Sequence, residues 1–440
     1  MIDSTATFAR LTDQRAAVDR RRDPHEHAVL AYRLGLAQAE APGGDPAENQ
    51  RLALHWYEIA LSGFDPDFEP VAHARVLNAA AAATRSLGRL DAAASLFGRA
   101  AEMLAGHDRD DELAASLNNL GLARAGLGDT EGALDAFEHA VTTFSIAGHE
   151  GRRGRAAALV NLGVALASLG STDGLKAAVD CYLEAMDVVG GDDAPYHCAL
   201  ADHARGVAEM ALAERDEASA PTHLGRAVRA FEDSLGFFTR TGFPYQHSLA
   251  KHNLGRALAA VGGERDLLLG LVAVEDSVSV LDPRLHRTEW EHALHTLEQI
   301  ESSLAPHQPA RTRLELFMVL FEMSEPAERS ALLTSRLTRL LALPRDARHS
   351  ALRNLAAVST ASPADHGLVY IGTELTVLTE LPNEHLREVL AARLEAHRRL
   401  PPTTRDDADR ALDQAVGDAL NGPQRVFVRD FLAECGFERP

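Results

Sequence analysis

From about residue 70 to residue 190, apolar positions recur at the three-and-four spacing of amphipathic helices, interrupted at short intervals by glycine. The clearest stretch reads Leu117-Asn118-Asn119-Leu120-Gly121, then Gly128, then Ala133, Phe137 and Ala140. The second half, Ala-x3-aromatic-x2-Ala, sets two small side chains and one large one on a single helix face. A glycine between two such runs predicts a turn. The pattern therefore predicts a helical hairpin whose two helices interlock through a ring. The same frame recurs upstream as Leu77, Ala81, Gly88, Ala93, Phe97 and Ala100, and downstream as Asn161-Leu162-Gly163, Gly170, Ala178, Tyr182 and Ala185. Weaker copies read Gly35, Ala53, Tyr57 and Ala60; Gly206, Ala227, Phe231 and Ser234; and Asn253-Leu254-Gly255, Gly262, Gly270, Val274 and Ser277. The alanine-equivalent positions 53, 93, 133, 178, 227 and 270 lie 40 to 49 residues apart, and the loop-like text at 41–46 and 214–221 accounts for part of the irregularity.

At these residues the sequence resembles the tetratricopeptide repeat (TPR) family, over roughly residues 27 to 300. The long period is closest to repeats of the kinesin light chain type and of bacterial peptide-sensing regulators. One hairpin cannot bury its own apolar face, so the resemblance implies hairpins stacked into a superhelix whose first helices line an inner surface. Glycines 121, 163, 206 and 255 then mark close approaches of two helix backbones. The expected organisation is all-α: a lead segment over residues 1–26, a TPR-like superhelix of about six hairpins over 27–304, and a smaller helical domain over 305–440. The turn-rich Ala305-Pro306-His307-Gln308-Pro309 sets the second boundary. Beyond it, Leu332-x4-Leu337-x2-Leu340-x2-Leu343-Pro344 is echoed by Ile371-x3-Leu375-x2-Leu378-x2-Leu381-Pro382, 38 residues later, in weak similarity to HEAT-type hairpins. Each proline suits the first turn of a following helix. Residues 368–377 are rich in β-branched side chains but are read as helix. A further helix is expected from Thr404, and a short terminal one from Gln424 to Glu434.

Composition removes several functional classes. The 440 residues carry 64 acidic against 44 basic side chains, a formal charge of −20, and the basic residues do not cluster, so direct nucleic-acid binding is not expected. Only Lys176 and Lys251 among them are lysine. Cys181, Cys198 and Cys435 offer neither a disulfide framework nor a thiolate metal site, which suits a reducing cytoplasm; the resemblance to bacterial regulators implies a bacterial one. The longest apolar run, Leu267 to Val274, is far shorter than the ~20 residues a membrane helix needs, so no membrane partner is expected. Dinucleotide-binding, P-loop and nucleophile-elbow motifs are missing, and no cofactor is called for.

Two sets of residues carry candidate chemistry. Asn119, Asn161 and Asn253 stand two residues before a glycine in the first helix of their repeats, with Asn78 and Asn118 one residue earlier in register. Asparagine is a poor helix-interior residue, so the repetition asks for a reason. In the resembled family such amides hydrogen-bond an extended peptide backbone; the alternative is a structural bond between neighbouring repeats. Flanking Ala115, Leu122, Ala125, Val164 and Ala167 are apolar, which suits an uncharged or modestly basic segment. The second set is His286, Glu289, His292 and His295, in which Glu289-x2-His292 has di-iron spacing but lacks a second copy on a comparable helix. Solvated side chains are the expected state of this set, and His197, Cys198 and His203 match no zinc spacing. The sequence thus reads as a non-catalytic scaffold for a protein or extended peptide, compatible with a homo-oligomer. A peptide-responsive regulator that switches superhelix curvature stands second, and an accessory enzyme with a His/Glu metal site third.

Overall fold

The structure, a computed structural model, describes residues 4–148, 151–190 and 194–437. Among the described residues there are twenty-one α-helices and no strand, as the helical periodicity requires. By compactness the chain divides into Met1–Phe238 and Thr239–Pro440, called here units 1 and 2.

Unit 1 opens with α1 (Ser4–Ala17), a helix inside the segment read as a lead, which packs Phe8 and Leu11 against Leu30, Leu34 and Trp56. Five hairpins follow: α2 (Pro24–Ala39) with α3 (Pro46–Leu61), α4 (Pro70–Ser86) with α5 (Leu90–Leu104), α6 (Asp110–Gly126) with α7 (Thr130–Ile146), α8 (Arg152–Ser168) with α9 (Thr172–Val189), and α10 (Pro195–Ala213) with α11 (Ala220–Phe237). Local chemistry sets the ends. Asp23, Asp45, Asp129 and Ser171 cap the first turns of α2, α3, α7 and α9. At the α6–α7 turn Gly128 takes φ 80°, and the Asp129 N–H returns to the Arg124 carbonyl at 3.0 Å, a Schellman closure.

The interlock is the one the sequence pattern predicts. The rings of Tyr57, Phe137, Tyr182 and Phe231 are fully buried against Gly35, Gly121, Gly163 and Gly206. A Cβ on Gly121 or Gly163 would lie 2.5 Å from a ring carbon, and one on Gly206 2.6 Å, well inside contact distance. Burying each ring contributes on the order of 1.5–3 kcal/mol. The TPR-like solenoid expected from the sequence is thus present.

Unit 2 begins with the sixth hairpin, α12 (Pro244–Val261) with α13 (Glu264–Val280), where Val274 replaces the ring and Gly255 meets Gly270 backbone to backbone. Then come α14 (Arg287–Leu304), α15 (Arg313–Met323), α16 (Pro326–Leu341), α17 (Arg345–Ala361), α18 (Ala364–Leu378), α19 (Asn383–Arg398), α20 (Pro402–Ala419) and α21 (Gly422–Glu434). The β-branched stretch at 368–377 is helical because its side chains Tyr370, Ile371 and Leu375, and Leu378 just beyond it, are buried at helical spacing. From α16 to α20 a helix packs mainly on the helix two ahead, giving two layers of the HEAT-like kind. Among the described residues, no helix is long and apolar enough to cross a membrane.

Candidate functional site: the exposed face of the first helices

In unit 1 the glycine register fixes what the first helices show to solvent. The residue after each interlocking small residue is Leu36, Ala82, Leu122, Val164 and Val207, one row across α2, α4, α6, α8 and α10. Leu36, Ala82 and Leu122 are half-buried, whereas Val164 is 52% and Val207 46% exposed. These two valines stand at one register on adjacent helices and neither is covered.

Beside this row the candidate asparagines take different roles. Asn161 Nδ2 donates to Asn118 Oδ1 at 2.9 Å, joining α8 to α6. Asn78 Nδ2 donates to Ser116 Oγ at 2.6 Å, joining α4 to α6, and the Ser116 hydroxyl in turn donates to the Glu112 carbonyl. Arg75 adds a two-pronged pair to Glu112 one turn earlier, at 2.6 and 2.5 Å. Asn119 is half-buried and makes no side-chain hydrogen bond among the described residues. The register that gathers Asn119 with Asn161 in sequence therefore does not give them one role. Asn253 lies in unit 2, 3.5 Å from Arg256 Nη1 on its own helix.

Unit 2 bridges its first helices in the same manner. Tyr245 Oη donates to Glu289 at 3.1 Å, and His252 Nε2 meets Thr296 Oγ1 at 2.9 Å, both linking α12 to α14. Within the hairpin, Asp276 accepts from Arg240 at 2.6 Å and His247 at 3.1 Å, with Lys251 at 4.0 Å. Burial alone would raise the Asp276 pKa, but the His247 hydrogen bond together with Lys251 and Arg240 holds it below the usual carboxylate value. Burial pushes His203, packed on the Phe231 ring, down to about 4. Burial, helped by Arg256 and His292, pushes His252 to about 4 as well. The sequence reading allows an inter-repeat bond for the asparagines, but the contacts of Arg75, Tyr245, His252 and Asp276 escaped it, although Arg75 and Glu112 are 37 residues apart, close to one repeat, which was the available signal.

The His/Glu set is dispersed along α14. His286 tilts against the Tyr245 ring, Glu289 is bound by Tyr245, and His292 is exposed. His295 is also exposed and pairs with Gln299 at 3.0 Å. Among the described residues no three His, Cys, Asp or Glu side chains are grouped to hold a metal ion.

No protein-family model matches the chain, and no curated protein matches it. Solved structures with a similar helical arrangement include BtubC from P. vanneervenii, 20% identical over 54% of this chain and 94% of that one, with a TM-score of 0.40. TPR-like repeats of a kinesin light chain from Podosopora anserina are 17% identical over 55% and 99%, with a TM-score of 0.36. The TPR2AB domain of yeast Sti1, solved in a complex with pHSP90, is 16% identical over 64% and 99%, with a TM-score of 0.23.

Proposed function

We propose that the chain is a non-catalytic protein-binding scaffold that holds an extended segment of its partner along the first helices of unit 1. The observation that carries this reading is the pair of uncovered valines, Val164 and Val207, in line with Leu122 at the register just past the interlock. Amide groups flank the row. Asn119 can offer both its donor and its acceptor, and Asn118 and Asn161 each keep a polar atom beyond their shared bond. A backbone lying beside them would find hydrogen-bond partners, and its apolar side chains would fall on the valines. Unit 1 holds 36 acidic and 21 basic residues, which disfavours an acidic partner and favours an uncharged or modestly basic one.

Affinity capture from native extract, read by mass spectrometry, tests this with matched variants. A Val164→Glu/Val207→Glu variant should lose the proteins retained by the wild type while melting within a degree or two of it. Glu138→Lys, an exposed change on α7, should retain them. An unchanged set in the double variant would move the binding surface elsewhere.

A further inference from the structure

The N-cap residues of α16 to α20 are Glu325, Pro344, Pro363, Pro382 and Pro401, each 19 residues after the last, so these helices can be compared position by position. Eleven residues past the cap stand Arg336, Leu355, Glu374, Arg393 and Leu412; fifteen past it stand Leu340, Ser359, Leu378, His397 and Val416. The fold accepts leucine or valine at both registers. The charged and polar side chains there are additions to what packing requires, and a buried ion pair is seldom a net source of stability.

Arg393 is 0% exposed; its Nε donates to Glu374 Oε2 at 2.9 Å and its Nη2 to Ser359 Oγ at 3.2 Å. One turn on, buried His397 donates from Nδ1 to Asp409 Oδ1 on α20 at 2.7 Å. This bond fixes the ring proton on Nδ1. The other nitrogen, Nε2, is buried without a hydrogen-bond partner among the described residues, so the neutral ring leaves a bare lone pair there. A protonated ring would bury an N–H with nothing to receive it, one turn from the Arg393 guanidinium. The surrounding charges offer little relief. On the α17 side, Arg348, His349 and Arg353 are engaged with Glu388 and Glu395 of α19. On α18, Glu374 is committed to Arg393. On α20, Arg405 donates to the carbonyls of Arg398 and Leu400, which leaves Asp409 as the opposing charge.

We propose that His397 is an acid-sensitive latch: when neutral it secures α20, and with it α21, to the α18–α19 side of unit 2, and when protonated it lets this terminal pair go while α16 and α17 stay folded. Burial and then Arg393 lower the proton affinity of His397, with Asp409 acting against them. The pair is lightly held. α21 buries Val428 and Leu432, and its end is tied by Arg398 Nη2 to the Cys435 carbonyl at 2.5 Å. Release bares Leu412 and Val416 of α20, so acidification would expose an apolar surface.

Pulsed hydrogen exchange on the full chain, corrected for intrinsic rates and read by mass spectrometry from pH 7.5 down to 4.5, tests the latch. Wild-type peptides covering 402–434 should lose protection at least tenfold between about pH 6.5 and 4.5, while those covering 326–361 keep it. His397→Leu, the residue already present at the equivalent positions 340 and 378, should hold the terminal pair at every pH in that range. His397→Asn, whose amide can still donate to Asp409 but cannot gain a proton, should do the same. An equal acid response in either variant would overturn the proposal. So would loss of protection across all of unit 2 together, or no loss in the wild type; these wild-type results decide the matter even if a variant fails to fold.

Discussion

In the α6–α7 hairpin, adding one methyl at Gly121 would place it 2.5 Å from Cε1 and 2.6 Å from Cδ1 of Phe137, a ring with no room to swing away. The α4–α5 hairpin carries the opposite choice, Ala81 with Phe97, and both are fully buried in one cluster. Each hairpin is therefore spaced for the residue it has, and the same exchange should be harmful in both directions. Gly121→Ala gains about 1 kcal/mol of helix propensity and incurs about 1–3 kcal/mol of overpacking, a net loss of up to about 2 kcal/mol. Ala81→Gly forfeits about 1 kcal/mol of propensity and about 0.8 kcal/mol for the buried methyl, close to 2 kcal/mol in all. Urea unfolding followed by circular dichroism, with the slope checked for constancy, measures both. Gly121→Ala/Phe137→Leu should recover part of the loss, because the smaller side chain concedes the space. The reasoning fails if Gly121→Ala stabilises the chain by the full propensity gain and the second change adds nothing.

Three further outcomes can be measured. Asn118→Ala and Asn161→Ala should each lower stability by about 0.5–1.5 kcal/mol, and the double variant by no more than the larger single, since one bond is shared; simple additivity in a double-mutant cycle would refute the bridge. His203 and His252, held neutral with values near 4, take up protons on unfolding between about pH 4 and 6.5. Their contribution is complete above pH 6.5 and shrinks as pH falls through that window, by up to about 3 kcal/mol each on linkage grounds, and His203→Gln should flatten the slope of stability against pH. Replacing Arg393 and Glu374 together by leucine should be neutral or stabilising by about 1–4 kcal/mol, whereas Arg393→Leu alone should cost about 3–5 kcal/mol by stranding a buried carboxylate.

The hairpins of unit 1 were legible because each is written locally: glycine at the close approach, glycine at the turn, and a ring between two alanines. What local pattern could not show was which polar side chains meet across repeats. Asn119 and Asn161 share one register in sequence, yet Asn161 reaches Asn118 on the neighbouring first helix while Asn119 makes no side-chain hydrogen bond among the described residues. Helix α1 was missed because its apolar residues are sparse and its burial depends on Trp56, far along the chain. In the C-terminal helices the 38-residue echo of Leu-Pro was visible, but its halving at Pro363 and Pro401 was not, since different neighbours disguise those prolines. Phe427 and Phe431, one turn apart on α21, are both half-buried and lie under the Arg387 guanidinium at 5.7 and 5.2 Å, so they close the end of the unit's core.

The even step from Pro344 to Pro401 has a bearing on how such an array can grow or shrink. Because each helix from α16 to α20 rests mainly on the one two places ahead, alternate helices belong to opposite layers. Excising a single 19-residue step would move every later helix into the opposite layer, against neighbours its side chains do not match. Excising two steps would restore every later helix to its own layer. Length changes in this region should therefore be tolerated in quanta of 38 residues, and a chimera built by removing α17 and α18 together should fold where one lacking α17 alone does not.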